Sequence, residues 1–489
     1  MDSERHRQYL ETLARRAMEE KGLQPEFSTA ALKEAERLSP APHGGHGVRD
    51  LRGLPWCSID NDDTRDLDQL TVAEPLDGGV ARVRIAVADV DVLVDQGSAI
   101  DEHARTNTTS VYTVARVFHM LPERLSTGLT SLNEGEDRRA LVVEFVVQED
   151  GATADEDVYP AVVHNRAKLT YTAVAAWLDG AGPLPEGMAG VPELAEQIRL
   201  QDAAAQRLRR LRHERGALDL RRNDVHPVLR GNRVEALQND DSDRAKELIQ
   251  DFMITANSTM ARFLESRRLP SLRRIVRQPR RWDRIVDLAR QTGDRLPAEP
   301  DSGALSEFLA RRRQADPGAY PELSLAVVKL IGSGEYVADL PEDPAPGHFG
   351  LAVEDYTHAT APNRRYPDLV THRILKAALA GSPTPYGSDE LRELARHCTE
   401  QENNAQKVER QVRKSAAALL LEDRLGDTFR AVVTGASEKG TWVRIFHPPV
   451  EGRLERGFQG LDVGDCLTVR LIDLDVERGF IDFARERHG

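Results

Sequence analysis

Five aspartates fall within the nine positions from Asp60 to Asp68 (Asp60, Asp62, Asp63, Asp66 and Asp68), directly after the apolar stretch Leu54-Pro55-Trp56-Cys57-Ser58. Carboxylates this dense repel one another. A fold that carries them must leave them in water or set positive charge among them. Their oxygens are hard ligands of the kind that Mg²⁺ or Mn²⁺ prefers. A solvated acidic loop stays open on the residues alone, but an EF-hand calcium loop does not. Counted from Asp60, its sixth position would be Arg65 instead of Gly and its twelfth Thr71 instead of Glu. Just beyond, Val83-Arg84-Ile85-Ala86-Val87-Ala88-Asp89-Val90 reads as a buried strand, which puts the acidic run at the edge of a sheet.

A chain of 489 residues exceeds the size at which one core keeps growing, so two to four domains are expected. Cys57, Cys398 and Cys466 are too far apart to form a disulfide framework or a metal-ligand spacing, which suits a reducing cytoplasm. The first residues are charged from the start, and no apolar run approaches membrane-spanning length. A soluble cytoplasmic protein that needs no protein partner is expected, with a monomer as the default. The net charge of −14 argues at first against nucleic acid, but the positive charge is segregated. Seven arginines lie between Arg207 and Arg222, eight between Arg267 and Arg284, and Arg311-Arg312-Arg313 follow. Such clusters line phosphate tracks or form solvated helix faces, and charge alone leaves both open.

Along the chain, Tyr9, Leu10, Leu13 and Ala17 show helical spacing, and Ser28-Thr29 can cap a second helix. Residues 1–48 therefore read as a small helical, helix-turn-helix-like module with a Pro/Gly linker. Strand patterns dominate from about 50 to 165 and helical ones from about 168 to 425. That order indicates an α+β fold over residues 49–425. Residues 426–489 change character again, with short strands and Gly/Asp turns that suggest a five-stranded OB barrel, a common single-strand-binding platform. A β-barrel without a ligand is the bland alternative.

Ile59-Asp60 with Asp66-Leu67-Asp68 resembles the metal-binding signature of the RNase II (RNB) family of exoribonucleases. Ala86 to Val90, Gly97-Ser98, Asp101, Met120 to Ser126, Ser131-Leu132-Asn133, Arg166 to Tyr171 and Arg215 to Asp219 follow in that family's order. The most specific block runs from His348-Phe349-Gly350 through Tyr356-Thr357-His358 to Pro362-Asn363-Arg364-Arg365-Tyr366-Pro367-Asp368-Leu369. The tail is similar to the OB-fold RNA-binding domain, of ribosomal-protein S-one type, that ends these enzymes. The resemblance implies a processive, hydrolytic 3′-to-5′ exoribonuclease acting on single-stranded RNA and releasing 5′-nucleoside monophosphates. It implies Mg²⁺, with Mn²⁺ as a substitute, acting in a two-metal mechanism. Asp60, Asp66 and Asp68 fall on its catalytic, metal-binding carboxylates, and Arg364 on the arginine that contacts the scissile phosphate. Arg365 belongs to the same RNA-contacting motif, with a structural role favoured. Tyr112 matches a tyrosine that stacks on the terminal base, and Tyr171 one near the 3′ end. Glu409 matches a glutamate near the site, although an exposed helix salt-bridge partner is nearly as good a reading.

This chain departs from the pattern in several places. Gln69 stands where the family has a fourth aspartate. Its amide oxygen can ligate Mg²⁺ but brings no charge. Gln250-Asp251 replace paired glutamates, and Leu220 takes the place of a base-clamping aromatic. Residues 1–48 are too short for the two cold-shock domains that precede the catalytic domain in many relatives. The alternative reading from another class is a catalytically weakened RNA-binding scaffold, which Gln69 alone favours.

Overall fold

The computed structural model describes residues 6–45, 47–220, 225–239, 243–318, 320–437 and 440–486. Residues 49–170 build a seven-stranded sheet. In spatial order its strands are Arg49–Asp50, Thr153–His164, Asp137–Val147, Ala81–Ala88, Gln69–Pro75, Cys57–Asp60 and Ala167–Thr170. The two outermost pairings are parallel and the inner ones antiparallel. Ala81–Ala88 is central, and its last four residues are all buried, as a strand covered on both faces requires. Helices Leu194–Glu214 and Arg244–Ser266 pack on the sheet. Two glutamines of the first helix key it into register. Gln201 Oε1 accepts the Thr71 hydroxyl at 2.7 Å, and Gln197 Oε1 accepts the Ala73 amide at 3.0 Å.

The two expected N-terminal helices are His6–Glu20 and Thr29–Arg37, the second capped by the Ser28 hydroxyl. Beyond residue 170 helices prevail, ending in the 33-residue helix Ser388–Leu420. Two strand pairs interrupt this helical stretch. Val225–Arg230 and Arg233–Asn239 form a hairpin across Gly231-Asn232, with Gly231 at φ +60°. Ser271–Ile275 pairs with Glu335–Asp339 across about sixty residues, a partnership that local periodicity does not reveal. No helix among the described residues is long and apolar enough to cross a membrane. The three cysteines are free.

The C-terminal strands close into a five-stranded barrel in the order Thr428–Ser437, Gly440–Ile445, Glu451–Arg456, Phe480–Arg485, Cys466–Asp475. Glu451–Arg456 is the strand that composition hides. Four of its six residues are charged, and only Gly452 and Leu454 are buried. Gly452 is where two strands approach most closely. A Cβ there would press on the Ile481 carbonyl oxygen and stand 2.6 Å from the Phe483 ring. Gly452→Ala is therefore expected to destabilise the barrel by about 2 kcal/mol, read as an earlier unfolding midpoint of Trp442 fluorescence. An unchanged midpoint would contradict this packing.

Most of the arginines that composition marked as a phosphate track are engaged within the protein. Arg209 and Arg212 converge on buried Asp251 at 2.9 and 2.5 Å, tying the two sheet-packing helices together. Arg207 and Arg210 donate to the Gly79 and Glu149 carbonyls. Arg273 pairs with Asp339, Arg274 with Glu402, Arg277 with Glu335, Arg311 with Asp294 and Arg313 with Asp219. Arg215, Arg267, Arg268, Arg280, Arg281, Arg284 and Arg312 make no ion pair among the described residues. Arg221 and Arg222 lie outside those residues. Ion pairs within the fold thus occupy many of these arginines, and the buried Asp251 needs such a counter-charge.

Candidate active site

The acidic run is a loop between two neighbouring strands of the sheet, one strand in from its edge. Cys57 pairs with Thr71, and continuing that antiparallel register brings Asp60 level with Asp68. On the other side, parallel pairing sets Asp60 beside Thr170, so Tyr171, the first residue of helix Tyr171–Leu178, follows directly. Asp62 and Asp63 are exposed, so for these two the solvated-loop reading holds. Asp60, Asp66 and Asp68 are partly or fully withdrawn from water.

Each of these three carboxylates is held by one oxygen. Asp60 Oδ1 accepts from the Asn61 amide at 2.7 Å and the Thr64 hydroxyl at 2.9 Å. Asp66 Oδ2 accepts the Tyr112 hydroxyl at 3.1 Å. Asp68, 2% exposed, accepts the Asn363 amide on Oδ1 at 3.0 Å. Its Oδ2 is buried, makes no hydrogen bond, and lies 3.3 Å from Arg364 Nε. Burial pushes the Asp68 carboxyl up to about 7, the charge of Asp66 adds to the rise, and Arg364 opposes it. Burial likewise raises Asp60, against its hydrogen bonds from Asn61 and Thr64.

This donor set fits a hard divalent cation. Each carboxylate is oriented through one oxygen, and the second Asp68 oxygen is buried without a hydrogen bond, facing the Arg364 guanidinium. No three Asp, Glu, His or Cys side chains among the described residues are gathered as a ready-made cation cage. Mg²⁺ keeps several waters and is commonly bound through one or two carboxylates together with substrate phosphates. Gln69 begins the next strand, and by alternation its side chain leaves on the face opposite Leu70. Its amide makes no hydrogen bond among the described residues.

The arginines sit on a loop from the far end of the chain. Arg364 is 42% exposed, with its guanidinium facing Asp68. Arg365 turns the other way, to Asp368 at 2.6 Å and the Thr360 hydroxyl at 3.4 Å, and Asp368 also accepts the Ala361 amide. These bonds fasten the loop to the start of helix Tyr366–Leu379. Tyr112 lies in the strand Val111–Tyr112 with its ring 41% exposed, and its amide donates to Glu409 Oε1 at 2.8 Å. Glu409 is thus joined to the site through Tyr112, and burial raises its carboxyl. Tyr171 is half-buried near Asp60, and burial raises its hydroxyl.

Three further residues complete the constellation, and none was singled out from the sequence. Lys168 Nζ donates to the Asp62 and Thr64 carbonyls at 3.1 and 2.7 Å, supplying the positive charge that the aspartate run requires. The Ser131 hydroxyl accepts the Leu67 amide and donates to the Arg65 carbonyl, both at 2.9 Å. Asn363 holds Asp68 through its amide, while its side-chain oxygen accepts the Thr130 hydroxyl at 2.6 Å. Lys168, Ser131 and Asn363 all lie inside the family-like blocks. Their roles are set by partners at least 64 positions away, so no local pattern announces them.

Comparison with known proteins adds independent findings. The chain matches the family description "RNB domain" over residues 48–381, and "RNase II-type exonuclease C-terminal S1 domain" over residues 427–486. It is 33% identical over 478 residues to Ribonuclease R of Escherichia coli (strain K12), covering 90% of this chain and 57% of that protein. It is 30% identical over 496 residues to Ribonuclease R of Thermotoga maritima, covering 94% of this chain and 68% of that protein. It thus spans little more than half the length of the first of these relatives. Among solved structures, Mycoplasma genitalium RNase R in complex with ribose methylated single-stranded RNA has the same fold. It superposes with a TM-score of 0.88 over 98% of this chain and 78% of that one, at 21% identity.

Proposed function

The chain belongs to the RNB family, and from that premise we propose that it is a hydrolytic exoribonuclease that shortens single-stranded RNA processively from the 3′ end and releases 5′-nucleoside monophosphates. The observation that carries this reading is Asp68. It is a buried carboxylate with one oxygen fixed by Asn363 and the other uncommitted beside Arg364. That second oxygen lies next to Asp66 in the acidic run and retains unused ligating capacity.

Asp60, Asp66 and Asp68 would hold Mg²⁺ (or Mn²⁺), with Gln69 beside them as a neutral oxygen donor. When bound, the ion lowers the pKa of water and offsets charge on the attacking and leaving oxygens. The chain's own residues do the rest. Arg364 offers its exposed guanidinium to the scissile phosphate and stabilises the charge that grows there. Tyr112 and Tyr171 flank the carboxylates and present rings on which bases stack without regard to sequence. Glu409 acts on Tyr112 and not on the phosphate, and Arg365 acts by fixing the loop that presents Arg364. Three free cysteines suit a cytoplasmic setting, where RNA is at hand.

The deciding measurement is a time course on 5′-labelled single-stranded RNA and the matching DNA, with Mg²⁺, with Mn²⁺ and with EDTA. The expected result is a ladder ending in a short limit product from RNA only, abolished by EDTA. Gln69→Asp, run alongside, is expected to lower the Mg²⁺ concentration needed for half-maximal rate. RNA binding without shortening in either metal would overturn the enzyme and leave a binding scaffold.

A further inference from the structure

We infer that the N-terminal helix His6–Glu20 is a brace that positions Tyr112 for RNA, with Arg7 and Glu11 as positioning residues. The inference rests on the exoribonuclease reading and goes beyond it, to a segment outside the 48–381 match.

Tyr112 lies in a hairpin, Val111–Tyr112 against Val117–Phe118, with only two residues per strand. A hairpin that short cannot hold its own geometry in water, so its orientation must come from what packs against it. Two helices supply that packing. Leu10, Leu13, Ala14 and Ala17 of the N-terminal helix share one buried cluster with Val111 and Phe118 of the hairpin, and Val408 and Val412 of Ser388–Leu420 complete it.

Polar contacts then set the exact pose. Arg7 Nε donates to the Ala115 carbonyl in the hairpin turn at 3.1 Å. Glu11 Oε1 accepts from Arg116 Nη1 at 3.1 Å and from Arg15 Nη2 at 2.8 Å. The guanidiniums of Arg15 and Arg116 lie 5.6 and 5.3 Å from the Phe118 ring centre. From the opposite side Glu409 takes the Tyr112 amide.

All of these contacts act on the Tyr112 backbone and its neighbours. A tyrosine kept for packing would be buried. This one is 41% exposed, with its hydroxyl on Asp66. A rigid backbone with a free ring is preorganisation for stacking. Small errors of pose at the hairpin turn would reach Tyr112 three residues away. Arg7 and Glu11, both on the outer surface of the cluster, are where that error is controlled.

The test uses the full chain and an RNA carrying 2-aminopurine as its 3′-terminal base, whose fluorescence is quenched on stacking, titrated in EDTA so that nothing is cleaved. The expected result is that Arg7→Met with Glu11→Gln loses much of the quench and binds about fivefold more weakly, with an unchanged thermal midpoint. Arg7→Lys, which can still donate to the Ala115 carbonyl, should retain wild-type quench and affinity. In a Tyr112→Ala background the helix substitutions should add nothing, since their effect passes through Tyr112. Full quench and affinity in the Arg7/Glu11 variant would overturn the brace. The same loss persisting without Tyr112, or falling in step with the thermal midpoint, would overturn it equally. The wild-type time course separates this failure from that of the underlying reading. Absent RNA shortening refutes the exoribonuclease and the brace with it, whereas intact shortening with an unmoved quench refutes the brace alone.

Discussion

Asp68→Asn is expected to slow RNA shortening by about 10³-fold while leaving stability unchanged or slightly raised. The two halves of that result have one cause. The asparagine oxygen can still accept the Asn363 amide, so the loop keeps its anchor. What disappears is a negative charge held in a site 2% exposed, beside a like charge on Asp66 and with an oxygen that nothing bonds. Burying a charge whose second oxygen accepts no hydrogen bond costs free energy that the Arg364 contact offsets only in part, so its removal does not harm the fold. Arg364 loses an ion partner, but its side chain is 42% exposed. Single-turnover rates on labelled RNA, paired with a denaturant midpoint, check both halves. A rate near wild type would remove Asp68 from the chemistry, and a fall in activity matched by a fall in stability would make its role structural.

The second large effect lies away from the site. Arg373→Met is expected to destabilise the protein by about 3–5 kcal/mol. The Arg373 side chain is 4% exposed. It pairs with Asp91 and Asp101, each at 2.8 Å, and donates to the Tyr386 hydroxyl at 2.9 Å and the Val94 carbonyl at 2.8 Å. Methionine fills the same volume but leaves the Asp101 charge buried without its cation. Asp91 fares better, because Lys376 remains 3.0 Å from it. Adding Asp101→Asn should therefore recover part of the loss, and chemical denaturation of the single and double variants measures the coupling. Equal stability of wild type and Arg373→Met would refute this account. The helix concerned, Tyr366–Leu379, follows directly on the loop that presents Arg364, so the network also sets where that guanidinium stands.

These two cases show how far the amino-acid order could be read. Asp68 and Asp101 both lie in blocks that resemble one family, and sequence alone gives them equal standing. The structure separates them. Asp101 is held on one oxygen by the Gly97 amide and the Tyr366 hydroxyl and on the other by buried Arg373 at 2.8 Å, and works for the fold, whereas the second oxygen of Asp68 faces the more accessible Arg364 at 3.3 Å. Tyr112 and Glu409 could be named from their motifs, but not their direct bond, which joins positions 297 apart. The arginine tracts could not be resolved for the same reason: charge per segment is local, while the counter-charges of Arg209, Arg212, Arg273 and Arg274 come from elsewhere in the chain. Glu451–Arg456 escaped notice because a barrel strand with a solvated face carries too few apolar residues to stand out.

What the sequence determined by itself is the available chemistry and the local conformers. Five aspartates within nine positions, a helix capped at Ser28 and an α+β order of elements each follow from neighbours a few residues apart. Only the tertiary structure decided which aspartates turn inward and which oxygen each keeps free. Burial and hydrogen-bond supply are properties of a place, not of a segment. At Asp68 that place is made by a strand register, the Asn363 amide 295 residues away and the facing Arg364.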